Sequence, residues 1–146
     1  MNLDETLIRK QIDNFWESFR TKNIERMMSL YAPEFVAFDI VSPLQEVGAA
    51  KYRKVWEKAF TFFRDPIIFE IQDLHISATQ DLAFSFQLVR LQTDLISGEQ
   101  VDRWQRVTCC FRKDDEQWLL VHEHASVPVD LMTGKAALDL QPETLV

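Results

Sequence analysis

The chain has 146 residues, a formal net charge of -7, and only 3 glycines and 2 cysteines beside 4 tryptophans and 11 phenylalanines. This length suits one domain, 1–146, and buries roughly 68–70% of the unfolded surface, so folding needs no disulfide or metal staple. The glycines are too few for a phosphate-cradling loop, the balance of 16 Lys+Arg against 23 Asp+Glu disfavours nucleic acid, and no apolar run reaches the roughly 18–20 residues of a membrane helix.

Ile8, Ile12, Phe15 and Phe19 recur at helical spacing with Trp16 beside them, and Asp4 stands as an N-cap. A second, short helix follows from Asn23, with Glu25 in its first turn and Met27, Met28 and Tyr31 on its buried side. Ala32-Pro33 ends it, because the residue before a proline leaves the helical region. The period then changes. Residues 35–41 are β-branched and aromatic, bounded by Pro33 and Pro43, and read as a strand.

Gly48 opens a third helix whose stripe is Tyr52, Val55, Trp56, Ala59 and Phe63, stopped by Asp65-Pro66. Four strands follow at 67–77, 82–93, 101–112 and 118–126, joined by short polar turns as an antiparallel meander. A mixed tail from about 128 is expected to wrap the surface and fray at its end. Helices gathered before an antiparallel sheet define an α+β fold. To bury the helical stripes the sheet must curl, leaving a cone open at one end.

Cys109 and Cys110 are adjacent, a poor geometry for a bond between them. Both read as reduced thiols. The N-terminal MNLDETLIRK lacks a signal peptide's apolar core, and the expected compartment is the cytoplasm.

Three segments carry a family resemblance: residues 30–39 (LYAPEFVAFD), Val47-Gly48 leading into Tyr52 and Trp56, and residues 118–128 (WLLVHEHASVP). With the element order, they resemble the NTF2-like superfamily, and within it the SnoaL-like branch of ketosteroid isomerase homologues, over about residues 7–140. The resemblance implies a cone-shaped, cystatin-like α+β fold. It leaves the reaction open, because the family hosts isomerases, cyclases, dehydratases, hydrolases and non-catalytic binding modules.

Asp39 resembles the aspartate that moves the proton in ketosteroid-isomerising members. A charge in an apolar strand is costly unless it is partnered or faces a cavity. The family's oxyanion donors lack counterparts: Phe15 or Trp16 stands where helix 1 would carry a tyrosine, and the strand 101–112 offers Arg103, Gln105 and Arg106 but no acid. His122 and His124 share a strand face and suit acid-base work near neutral pH, or an interface. Regular alternation puts Trp118, Leu120 and Ser126 on that same face and Glu123 on the other; periodicity does not say which face looks inward. No ligand spacing supports a metal, and no cofactor is expected. Arg106 suits a carboxylate clamp or an ion pair with a partner subunit. Trp16, Tyr31, Tyr52, Trp56 and Phe38 read either as ordinary core or as the wall of a pocket for a small apolar ligand.

The expected outcome is a homodimer through the apolar outer sheet face, with no nucleic acid and no membrane partner. Two functions compete. One is a proton-transfer enzyme acting on a small cyclic or polyketide-like carbonyl compound, with Asp39 aided by His122 or His124. The other is a non-catalytic binding or interaction module. Whether Asp39 faces an open cavity beside a histidine or tyrosine hydroxyl decides between them.

Overall fold

The computed structural model describes residues 2–143. Helix α1 (Leu3–Arg20) is followed by α2 (Ile24–Met28), strand β1 (Tyr31–Phe38), the short β2 (Glu46–Val47) and α3 (Ala49–Phe60). The long strands β3 (Phe63–Thr79), β4 (Leu82–Leu95), β5 (Gln100–Asp114) and β6 (Gln117–Ser126) complete a six-stranded sheet in the order β2-β1-β6-β5-β4-β3. Its neighbours pair antiparallel except β1 and β6, which run parallel. The architecture is α+β: three helices against the concave face of an open, curled, mostly antiparallel sheet.

Local chemistry corrects several expected boundaries. Asn2, not Asp4, caps α1: its side chain accepts from the Glu5 N–H at 2.8 Å. Asp4 instead accepts from Trp118 Nε1 and Lys113 Nζ, both at 3.2 Å, tying the start of α1 to β5 and β6. Asn23 caps α2 as expected. That helix stops at Met28, so Tyr31 and Ala32 belong to β1, where pairing with β6 outweighs their helical spacing. Gly48 opens α3 at φ 95°, a conformation that favours glycine. The tail forms a hairpin of β7 (Val129–Asp130) and β8 (Lys135–Ala136). The expected fraying of its end falls on residues outside those described.

The core lies between helices and sheet. Ile8, Ile12, Phe15 and Phe19 of α1 bury as their spacing required, with Tyr52 and Trp56 of α3 and with Phe35, Phe111 and Trp118 of the sheet. Each such large side chain contributes roughly 1.5–3 kcal/mol on burial. Among the described residues no helix is long and apolar enough to cross a membrane. Both cysteines are free.

Bulges shape the sheet. The ladder between β3 and β4 shifts between Gln72 and His75, where Asp73 takes φ 58°. The β5–β6 ladder pairs Phe111 with Leu120 but Cys110 with His122, leaving Val121 as one extra residue. An unpaired residue reverses the side-chain alternation beyond it. Trp118 and Leu120 therefore point inward before the bulge, and Glu123 and Ala125 point inward after it.

Candidate functional site

A cavity of about 470 Å³ opens between α1, α3 and the concave face of the sheet. Its wall is aromatic. Phe15, Trp16 and Phe19 come from α1, Trp56 from α3 and Phe69 from β3. The rings meet largely edge to face, with centroids 4.8 Å apart for Phe15–Trp16 and for Phe19–Trp56, while Trp16 and Phe69 tilt together at 4.6 Å. These are favourable arrangements of ring quadrupoles, and they fix the wall. The polar side chains reaching the cavity include Asp39, Tyr52, Arg103, Gln105 and Glu123.

Asp39 follows β1 and keeps the inward phase of Phe35 and Ala37. The Tyr52 hydroxyl donates to Oδ2 at 2.7 Å, and the Ile40 N–H donates to Oδ1 at 2.7 Å. A tyrosine one turn into α3 thus holds the carboxyl at the cavity. Burial, then the nearby acids led by Glu123, pushes the Tyr52 hydroxyl well above its ordinary range, so it remains a donor.

Glu123 is 8% exposed, and its Oε2 has no hydrogen-bond partner among the described residues. It lies across from Cys109 on β5 and Ala37 on β1, with Ser85 of β4 beyond Cys109. Burial, and secondarily the charge of Asp39, raises its pKa from 4.5 to about 8. At neutral pH it is therefore a carboxylic acid with an O–H to donate. Regular alternation places Glu123 on the face away from Trp118 and Leu120, because it has no place for a bulge; the structure turns it inward. The detectable signal was the acid itself, set between Val121 and Ala125 in an apolar strand.

The expected site residues divide. Asp39, Tyr52, Trp16 and Trp56 come together at the cavity. Tyr31 does not line it; buried behind the wall, its hydroxyl accepts from Trp56 Nε1 at 3.0 Å and so orients that indole. Arg106 lies on the outer sheet face with its Nε donating to Ser126 Oγ at 3.1 Å; Arg103 and Gln105 face inward instead. His122 and His124 also lie on the outer face, because the bulge separates them from Trp118 and Leu120. There they flank Phe38, with ring centroids at 4.6 and 5.5 Å. The Nδ1–H of His122 donates to the Val36 carbonyl at 2.7 Å. Among the described residues no group of three or more His, Cys, Asp or Glu side chains is placed to hold a metal ion.

Comparison with known proteins defines the class first. A crystal structure of an NTF2-like protein of unknown function from Pseudomonas putida KT2440 matches at 34% identity and TM-score 0.87, over 95% of this chain and 96% of that one. A ketosteroid isomerase-like protein from Erwinia carotovora atroseptica SCRI1043 matches at 16% identity and TM-score 0.75, over 86% and 97%. A protein with a cystatin-like fold from Caulobacter vibrioides matches at 14% identity and TM-score 0.72, over 84% and 89%. The last two likenesses are of fold alone. The fold is NTF2-like. The chain belongs to the SnoaL-like domain family, whose model matches residues 8–130. No curated protein matches.

Proposed function

We propose that the chain is a proton-transfer enzyme, isomerase- or cyclase-like, acting on a small flat cyclic or polyketide-like carbonyl compound. The observation that carries this reading is one carboxyl held by Tyr52 in the same aromatic cavity as a second, buried carboxyl whose pKa is raised to about 8. A carboxylate base and a protonated carboxyl as hydrogen-bond donor form one arrangement that moves a proton on carbon. The Asp39 carboxylate takes a proton from the carbon next to the substrate carbonyl. The C–H electron pair moves to the carbonyl oxygen, where the Glu123 O–H stabilises the enolate. Asp39 then returns the proton to carbon. Glu123 fills the oxyanion-donor role that the resemblance left without a residue, and the outer-face position of His122 and His124 argues against their taking part.

The test is hydrogen–deuterium exchange of a cyclic ketone, 1-tetralone, followed by proton NMR in D2O. The expected result is exchange next to the carbonyl above the buffer rate, lost about 100-fold or more in Asp39→Asn. Binding of the ketone with exchange at the buffer rate overturns the enzyme reading and leaves the non-catalytic binding module.

The partner reading follows from the outer face. Phe84, Phe86 and Phe38 are exposed there, and His75 stacks on Phe86 with centroids 4.8 Å apart. An apolar sheet face of this kind suits burial against a second copy. A homodimer at micromolar concentration by light scattering is expected; a monomer contradicts it.

A further inference from the structure

Arg103 is an unmatched cation at the cavity. It projects from β5 into the apolar space, half-buried, and its guanidinium makes one weak side-chain hydrogen bond, Nε to Gln105 Oε1 at 3.4 Å. It forms no ion pair among the described residues, although Asp39 lines the same cavity. Arg53, Arg90 and Arg112, all on the outside, each bind two carboxylates. Most of the fork of donors on Arg103 is left to whatever enters the cavity. Lys58, also at the cavity wall, adds a second cation without an ion pair among the described residues. With the Glu123 pKa raised to about 8, Asp39 is the one charged acid at neutral pH among the described residues that line the cavity with these two cations.

We infer that the cavity takes a flat cyclic compound bearing a carboxylate, and that Arg103 clamps that carboxylate through its free guanidinium donors. This rests on the proton-transfer reading above and adds the charge of the substrate. A guanidinium presents two parallel N–H groups that match a carboxylate, and such charge-assisted pairs exceed neutral hydrogen bonds in strength. With the acid group on Arg103, the ring lies against the aromatic wall and leaves its carbonyl free for Glu123 and Asp39. The selected class is thus a cyclic keto acid rather than a neutral ketone. Burial already penalises the arginine cation, and its pKa is pulled below the ordinary range despite the opposing charge of Asp39. A bound anion relieves that penalty.

The test compares 2-naphthoate with 2-acetylnaphthalene, two flat probes of similar shape that differ in charge, by quenching of tryptophan fluorescence from Trp16 and Trp56. The expected result is at least a tenfold preference for 2-naphthoate in the natural protein. Arg103→Gln brings the ratio of the two affinities to about one, and Arg103→Lys retains part of it, with near-ultraviolet circular dichroism reporting that each variant is folded. Equal binding of both probes by the natural protein, or a preference that survives Arg103→Gln, overturns the inference and leaves the proton-transfer reading standing. Failure of both probes to bind overturns both, because the cavity then takes no flat ring. If Arg103→Gln does not fold, the natural protein's ratio measured from 20 to about 500 mM salt, well past the roughly 10 Å screening length at 0.1 M, decides: a partly buried clamp keeps most of its preference, and a purely superficial attraction loses it.

Discussion

The two faces of β5 and β6 carry different chemistry on adjacent residues. Inside, Ser85, Cys109, Glu123 and Ala37 form one row across β4, β5, β6 and β1. Outside, one residue along, Phe86, Thr108, His124 and Phe38 form the next. The inner row keeps an acid neutral next to a cavity; the outer row shows imidazole and aromatic surface to solvent. The bulge at Val121, not the residue types, therefore determines which ionisable group of HEH in this strand reaches the cavity. Without the bulge the histidines would share a face with the buried Trp118 and Leu120.

The largest effect is expected from placing the same charge on either side of that phase. Ala125 points inward just past the bulge and His124 points outward. Ala125→Glu buries a carboxyl beside the acids of the cavity, and a loss of about 3 kcal/mol or more is expected in urea denaturation, against about 0.5 kcal/mol or less for His124→Glu on the outer face; equal losses contradict the phase that the bulge sets.

Next is the pH dependence of stability. The folded-state pKa of Glu123, about 8, lies above its ordinary 4.5. The folded chain therefore keeps a proton that the unfolded chain releases across that window. The contribution of this neutral acid is whole below about pH 4.5 and is lost as pH rises through 8, a difference of roughly a few kcal/mol. Glu123→Gln has no such proton to lose. Its stability relative to the natural protein is expected to increase between pH 5 and pH 9 in denaturation curves; parallel pH profiles contradict this.

A smaller effect is expected at Tyr31→Phe, which removes the acceptor of the buried Trp56 N–H. A loss of about 1–2 kcal/mol in denaturation is expected, with Trp56 emission changed. The smallest is His124→Gln on the outer face. Its 1-tetralone exchange is expected within about twofold of the natural protein, whereas a loss comparable to that of Asp39→Asn would place the outer face in the chemistry.

Much of the fold was legible. The spacing of Ile8, Ile12, Phe15 and Phe19 marked α1, Gly48 marked α3, and the four long strands lie close to their expected places. Helix α2 was read too long because Tyr31 continues its stripe, and the pairing of β1 with β6 that claims Tyr31 is non-local. Half of the site was legible. Asp39 stood out as an acid in an apolar strand, and Tyr52, Trp16 and Trp56 as helical stripe residues. Glu123, Arg103 and the outer positions of His122, His124 and Arg106 were not, because they depend on strand phase, and a single unpaired residue resets phase without leaving a mark in composition.

The proton-transfer reading turns on Glu123 being a neutral acid at the cavity. Infrared titration of the natural protein against Glu123→Gln measures it directly, through the carbonyl stretch of a protonated carboxyl. The expected difference is a protonated-carboxyl band present at pH 7 that disappears with a midpoint near pH 8. A difference band already gone at pH 7, with its midpoint near the ordinary 4.5, would contradict the account.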